Sequence, residues 1–108
     1  MHTWIKCDNR NDKDGNPSGG SVSGVGIGIV WQDGPLGLPG SPERKEPNGA
    51  FVENVIMACI VRLEFFQESK FACKENAEAI LHLKKALHQL DCRTKDREHR
   101  KVEGTHAV

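Results

Sequence analysis

Three arginines near the end of the chain, Arg93, Arg97 and Arg100, have the spacing of one helical face. Residues at i, i+4 and i+7 of an α-helix lie on the same side. A guanidinium donates paired hydrogen bonds to phosphate oxygens and stays charged at physiological pH. The pattern therefore indicates a site for a confined anionic ligand that carries phosphate. The alternative is that these cations offset the negative end of a helix dipole, with Asp96 placed to pair with Arg93 or Arg100.

The composition of the chain restricts the classes of ligand and compartment. It has 108 residues, with 15 lysines and arginines against 15 aspartates and glutamates, so the formal net charge is zero. A protein that coats nucleic acid carries a basic surface, and this balance argues against that function. No apolar run approaches the roughly 18 residues of a membrane span, and the N-terminus lacks the pattern of a secretory signal. We therefore expect one small cytoplasmic domain.

The four cysteines predict free thiols. Cys7, Cys59, Cys73 and Cys92 contain no pair at the two-residue spacing of zinc knuckles and redox motifs. Disulfides are rare in reducing compartments. Because Cys59 lies within an apolar helical run, we expect it to be buried as a small hydrophobic side chain.

Two further groups of side chains have partial metal-ligand spacing, and neither completes a ligand set. His88 and Cys92 are four residues apart on a helix, but no second pair accompanies them. The stretch from Asp12 to Gly15 resembles part of a calcium loop, yet the first and last ligands would fall on Arg10 and Ser21. No nucleophile has a recognisable base and orienting acid. The sequence predicts binding, without catalysis, metal or cofactor.

Glycine alternates with apolar residues from Gly24 to Val30. A dinucleotide-binding loop needs its last glycine at the start of a helix, and here Trp31 follows instead. The alternation of Val25, Ile27 and Ile29 at period two predicts a strand. Glycines on the opposite face allow a ligand or a neighbouring backbone to approach closely.

The chain divides into three regions within a single domain. Residues 1–23 form a polar arm in which only Thr3–Cys7 could pair as a short strand. Residues 24–47 contain the predicted strand and a loop rich in glycine and proline. Residues 48–108 are predicted to form a helical hairpin.

Apolar residues at helical spacing predict two helices of unequal length. Asn48 is placed to cap the first, which has an apolar face between residues 50 and 68 made of Val52, Val55, Ile56, Cys59, Leu63 and Phe66. The second runs from Cys73 to Arg100 with a seam of Ile80, Leu83, Leu87 and Leu90. At 1.5 Å per residue it is about 40 Å long. Its polar end needs support from outside the helix, which we expect another subunit to supply.

Long stretches between residues 24 and 106 have a distinctive sequence, namely GIGIVWQDGPLG, EPNGAFVENVI, SKFACKENAEAI and ALHQLDCRTKDRE followed by EGTH. They resemble the Thoeris anti-defence sponges of phages, which share a helical-hairpin domain with the anti-CBASS sponges. The resemblance implies a protein that is not an enzyme, needs no cofactor and captures a cyclic nucleotide immune signal inside the infected bacterium. In the Thoeris branch that signal is glycocyclic ADP-ribose, and some relatives also bind cyclic di- or trinucleotides.

The resemblance further implies an α+β fold, with a small N-terminal antiparallel sheet followed by a two-helix hairpin with a long C-terminal helix. Subunits of the family form dimers that can assemble into hexamers. By position, the resemblance implies ligand-binding roles for Phe66, which packs against adenine, for Asn76, and for Arg93 and Arg97, which bind phosphates. Phe65 is an alternative aromatic contact. Core packing of Phe66 and helix capping by Asn76 are the structural alternatives.

The sequence departs from the family pattern at two places. Lys101 stands where a glycine is expected, and residues 89–92 replace a more aromatic and basic run. An alternative function is a small protein-interaction or nucleic-acid-binding module that uses the basic end of the long helix. A polyanion site loses affinity steeply with salt, whereas a closed pocket for one small diphosphate does not. A metal-dependent hydrolase is disfavoured by the missing ligands.

Overall fold

A computed structural model describes residues 5–108 of the chain. The described residues form two compact units, one of residues 5–51 with Arg100–Val108 and the other of Val52–His99. The first contains a three-stranded antiparallel sheet and the second a helical hairpin with a long second helix. The α+β fold predicted from the sequence is therefore confirmed. None of the described helices is long and apolar enough to cross a membrane.

The sheet of the first unit has the order β1-β2-β3, with β1 at Ile5–Asn11, β2 at Pro17–Gly24 and β3 at Ile27–Val30. The prediction that only Thr3–Cys7 could pair within the first 23 residues is wrong, because β1 and most of β2 lie there. Thr3 itself lies outside the described residues.

Both hairpin turns of the sheet depend on local polar chemistry or on glycine. The Asp12 carboxylate accepts backbone hydrogen bonds from Asp14 and Asn16, at 2.9 and 3.0 Å, and so closes the β1–β2 turn. Between β2 and β3 the turn consists of Val25 and Gly26, and Gly26 has φ of 77°. The predicted strand therefore begins later than expected, since Val25 lies in the turn and is 92% exposed.

Asn48 does not cap a helix. Its side-chain oxygen accepts a hydrogen bond from the Asp33 backbone at 2.8 Å, and its amide donates to the Asp33 carbonyl at 3.0 Å. The backbone NH of Asn48 donates to Gln32 Oε1 at 2.8 Å. The first helix starts only at Val52, so the capping prediction is wrong and Asn48 instead fixes the loop after Trp31.

The C-terminal residues pack within the first unit and not within the hairpin. Arg44 donates to the Gly37 carbonyl at 2.7 Å and pairs with Glu103 at 3.2 Å. Gly37 donates its backbone NH to Gly104 at 2.8 Å. A Cβ on Gly104 would lie 2.0 Å from the Gly37 oxygen, so this contact requires glycine. The prediction that residues up to 108 belong to the hairpin is therefore wrong for the last nine.

The second unit consists of α1, Val52–Gln67, and α2, Lys74–His99, which pack against each other. The predicted α2 seam is confirmed as the half-buried side, with Ile80, Leu83, Leu87 and Leu90. On α1 the buried residue is Ile60, at 2% exposure, flanked by half-buried Ile56 and Leu63. Cys59 is exposed, so the prediction that its thiol is buried is wrong.

Candidate ligand-binding site

Two of the four predicted ligand-binding residues flank the turn between the helices. Phe66 is the next-to-last residue of α1, and Asn76 is the third residue of α2. Both are half-buried. The Phe66 ring therefore lies just before the turn of residues 68–73 and the Asn76 carboxamide just after it, and each is partly accessible.

The other two predicted residues lie toward the opposite end of α2. Arg93 is exposed and Arg97 is half-buried, and their four-residue spacing places them on one face of the helix. Within the described residues no carboxylate pairs with Arg93. Its guanidinium therefore has its donors available for phosphate oxygens.

Arg100 does not extend this face as the sequence pattern predicted. Helix α2 ends at His99, and the Arg100 guanidinium donates to the backbone oxygen of Val108 at 2.9 Å. Arg100 belongs to the compact unit that contains the sheet. The three-arginine face is thus reduced to Arg93 and Arg97.

A large separation along α2 divides the four residues into two half-sites. Asn76 and Arg93 are seventeen residues apart in one continuous helix, which corresponds to about 25 Å at 1.5 Å per residue. This distance far exceeds the span of one cyclic nucleotide. One copy of the hairpin therefore does not bring the predicted base-binding and phosphate-binding residues together. We refer to Phe66 and Asn76 as the turn half-site and to Arg93 and Arg97 as the arginine half-site.

Arg62, which was not among the residues predicted for the site, lies beside Phe66 of the turn half-site and its neighbour Phe65. Its guanidinium carbon is 4.9 Å from the ring centroid of Phe66 and 5.1 Å from that of Phe65. The two rings are 6.0 Å apart and inclined at 59°. An arginine three and four residues before a Phe-Phe pair is the signal that could have indicated this contact. The cluster combines π-faces with a positive charge.

The outer face of α1 carries exposed apolar side chains. Met57, Val61 and Phe65 are 46%, 59% and 57% exposed and follow one another at four-residue spacing. With Asn54, Ala58 and Arg62 they line a groove of about 610 Å³. Contiguous apolar surface of this kind marks an interaction site. The sequence placed the apolar face of α1 on only one side, whereas the structure shows apolar residues on two.

A second groove of about 580 Å³ lies between the helices and is lined by Glu53, Lys84, Leu87, His88, Asp91 and Thr94. Nearby, Cys92 Sγ and His88 Nε2 are 3.5 Å apart. No group of three or more histidine, cysteine or acidic residues in the described part of the chain could hold a metal ion.

The pKa of Lys95 is raised, chiefly by its hydrogen bond to Asp91 at 3.1 Å. Asp91 and Lys95 thus form an exposed ion pair one turn apart on α2.

Comparison with known proteins places the hairpin in a defined family. Residues 36–94 match the model of the Acb2/Tad1 hairpin domain. A protein of Bacillus phage SBSphiJ7 named Thoeris anti-defense 1 is 52% identical over 59 residues, which cover 55% of this chain and 42% of that protein. The chain therefore matches less than half the length of this relative. The family match includes Phe66, Asn76 and Arg93, and it ends before Arg97.

Proposed function

The chain belongs to the Acb2/Tad1 hairpin-domain family, and we propose that it is a phage anti-defence protein that sequesters a cyclic nucleotide immune signal. The signal is of the glycocyclic ADP-ribose class, with cyclic di- and trinucleotides as further candidates. Binding in the cytoplasm of the infected host removes the signal without degrading it and blocks Thoeris-type immunity. The family match and the 52% identity to a phage protein named Thoeris anti-defense 1 support the proposal.

The chemistry of the four residues suits such a ligand. A cyclic ADP-ribose has a purine, hydroxyl groups and a pyrophosphate. The ring of Phe66 offers a face for base packing, and the Asn76 carboxamide can donate and accept hydrogen bonds. Arg93 and Arg97 can each form charge-assisted hydrogen bonds to phosphate oxygens. These roles are binding roles, and none of the four residues is a nucleophile.

The observation that carries the proposed site is the distance of about 25 Å between its two halves along α2. One ligand can contact both only if the turn half-site of one subunit meets the arginine half-site of another. Two hairpins packed in opposite directions bring these ends together. The exposed side chains of Met57, Val61 and Phe65 provide apolar surface for such packing. We therefore propose a homo-oligomer, a dimer or a hexamer, with sites shared between subunits.

Subunit complementation tests this site. Chains with Asn76→Ala and chains with Arg93→Ala should each bind glycocyclic ADP-ribose weakly. When they are co-expressed, a mixed pair has one site with both substitutions and one site with neither. We expect ligand capture to return at about one full-affinity site per mixed dimer, measured by calorimetry on the tag-purified heterodimer.

In the matched control, chains with Arg93→Ala are co-expressed with chains with Arg97→Ala. Both substitutions fall in the arginine half-site, so every site in the mixed pair lacks one guanidinium and no capture should return. Recovery in this control, or its absence in the Asn76 and Arg93 mixture, would show that the two halves do not combine across subunits. Light scattering at micromolar protein should show at least a dimer, and a monomer that binds ligand tightly would also contradict the shared site.

A further inference from the structure

The Gln67 side chain joins the end of α1 to the start of α2. Gln67 Nε2 donates to the Cys73 carbonyl at 3.0 Å, and the Cys73 backbone NH donates to Gln67 Oε1 at 3.0 Å. One carboxamide thus satisfies both backbone polar groups of a single residue. Only this orientation of the amide supplies one donor and one acceptor, because rotating it by half a turn would set donor against donor.

Cys73 occupies the position that normally caps α2. Its carbonyl accepts the first hydrogen bond of the helix, from Ala77 at 3.2 Å, and α2 starts at the next residue, Lys74. Helices prefer serine, threonine, aspartate or asparagine at this position because a side-chain oxygen can accept from the first turn. A cysteine lacks that oxygen. Gln67 therefore anchors the start of α2 through the backbone of Cys73.

The remainder of the turn is held by hydrogen bonds to α1. The Ser69 hydroxyl donates to the Phe66 carbonyl at 2.6 Å and accepts from the Phe71 backbone NH at 3.1 Å. Ser69 thus binds the turn to the backbone of Phe66, and Gln67 binds the start of α2 to the end of α1. Phe66 immediately precedes Gln67, and Asn76 is three residues after Cys73. The two bonds of Gln67 link the backbone segments that carry both members of the turn half-site.

We propose that Gln67 is a positioning residue for ligand capture, which fixes the spacing between Phe66 and Asn76 through its paired hydrogen bonds to Cys73. The proposal rests on the proposed function of Phe66 and Asn76 in binding the cyclic nucleotide. Gln67 does not touch the ligand itself. Loss of the bond pair lets the start of α2 move relative to the end of α1, and the ligand must then offset the cost of ordering them.

A glutamate substitution makes this role visible as a pH dependence. At neutral pH the carboxylate of the Gln67→Glu variant can accept from the Cys73 NH but cannot donate to the Cys73 carbonyl. A protonated carboxyl has one O–H donor and one acceptor, like the native carboxamide.

We expect affinity for glycocyclic ADP-ribose to fall on the order of tenfold in Gln67→Glu at pH 7, the scale for one or two hydrogen bonds. It should return toward that of wild type as pH falls through the pKa of the introduced carboxyl, while wild type measured in the same buffers changes little. The neutral variant Gln67→Met should bind weakly at every pH. This second variant separates the lost bond pair from simple repulsion between a carboxylate and an anionic ligand.

Lys85→Glu is the control for an added carboxylate, because Lys85 is exposed on α2 away from the turn and has no arginine three or four residues further on. It should bind as wild type does throughout the pH range. Wild-type binding by Gln67→Met, or weak binding by Gln67→Glu that does not recover at low pH, overturns the proposal.

Hydrogen exchange of the Cys73 amide tests the Gln67 bonds without any ligand. We expect this amide to be protected in wild type and to exchange at least tenfold faster in Gln67→Met, at unchanged exchange of the α2 seam. If wild type captures no cyclic nucleotide, the proposed function fails, and with it the role of Gln67 in capture. Equal exchange in the two proteins would instead refute the anchoring of Cys73 by Gln67, whatever the ligand result.

Discussion

The guanidinium of Arg62 lies 4.9 Å from the centroid of the Phe66 ring. This contact pairs a cation with the aromatic residue that we assign to base packing. Arg62 also lies against Phe65, so one guanidinium contacts both rings. The two rings differ in exposure, since Phe66 is half-buried and Phe65 is 57% exposed on the outer face of α1.

Replacing Phe66 by leucine should weaken ligand binding by about 1–3 kcal/mol, the scale for loss of one base–aromatic contact. Leucine keeps an apolar side chain against the hairpin, so the helical content should stay normal. Calorimetric titration with glycocyclic ADP-ribose measures the effect. Phe65→Leu is the matched control; leucine keeps an apolar side chain for subunit packing, so this variant should lose less affinity than Phe66→Leu. The opposite ranking of the two variants would move the base contact to Phe65.

Arg93→Ala and Arg97→Ala should each weaken capture by roughly 2–3 kcal/mol, as expected for hydrogen bonds to a charged group. Both residues lie beyond the last seam leucine, Leu90, so packing of the hairpin should persist. Binding and circular dichroism should be measured on the same samples. Lys85→Ala removes another exposed cation of α2 and serves as the control. A variant that binds normally but melts much lower would show that its arginine has a structural role.

Lys101 provides a stability prediction that does not involve the ligand. It is the one non-glycine residue with positive φ in the described chain, at 61°, and it follows the end of α2 by two residues. A side chain in this left-handed conformation costs about 1–2 kcal/mol, and glycine avoids that cost but has more freedom to lose on folding. Lys101→Gly should therefore raise the free energy of unfolding by about 1 kcal/mol.

Urea denaturation of Lys101→Gly and wild type checks this value. Lys85→Gly, within the helical part of α2, is the control and should lower stability by about 1 kcal/mol. Equal or lower stability of Lys101→Gly would mean that the lysine side chain contributes more than its backbone conformation costs. The glycine expected here from the family resemblance thus has a conformational reason.

The turn that follows β1 should make stability depend on acid pH. The backbone NH of Asn16 is the chief cause that lowers the pKa of Asp12 from its ordinary value, with a smaller contribution from His106. Because the folded state holds the carboxylate ionised, its contribution is present above the unfolded pKa and is lost as pH falls through the folded pKa. Asp12→Asn should reduce this loss between neutral pH and about pH 3, measured by urea midpoints. An identical pH profile would exclude a contribution from Asp12.

The sequence predicted the helical hairpin correctly where the apolar residues fall on a single face of the helix. The seam from Ile80 to Leu90 on α2 stands out because polar residues surround it, and the structure places it on the half-buried side. On α1, apolar residues occupy most positions and fall on more than one face, so periodicity does not select a single face. Of the six residues predicted for this face, Val52 and Cys59 are exposed and the other four are half-buried, while the buried residue, Ile60, was not among them.

Apolar periodicity predicted β3 but not β1 or β2, because β1 and β2 are made largely of polar residues and glycine. Their pairing depends on the Asp12 turn and on backbone contacts such as that of Gly20, where a Cβ would lie 2.2 Å from the Asp8 oxygen. Phe66 and Asn76 were predicted from the family resemblance alone, whereas Arg93 and Arg97 were also predicted from their helical spacing. The division of these residues between the two ends of the hairpin, and the contacts of Arg62 and Gln67, follow from the packing of α1 against α2, which the sequence pattern does not specify.

Stoichiometric titration tests the central proposal most directly. A fixed amount of glycocyclic ADP-ribose is incubated with increasing protein, and activation of the Thoeris effector is measured before and after heating to denature the protein. We expect activation to fall linearly to zero at the equivalence point of binding sites, with all active signal recovered after heating. Disappearance of many ligand equivalents per protein chain, with none recovered by heating, would contradict sequestration.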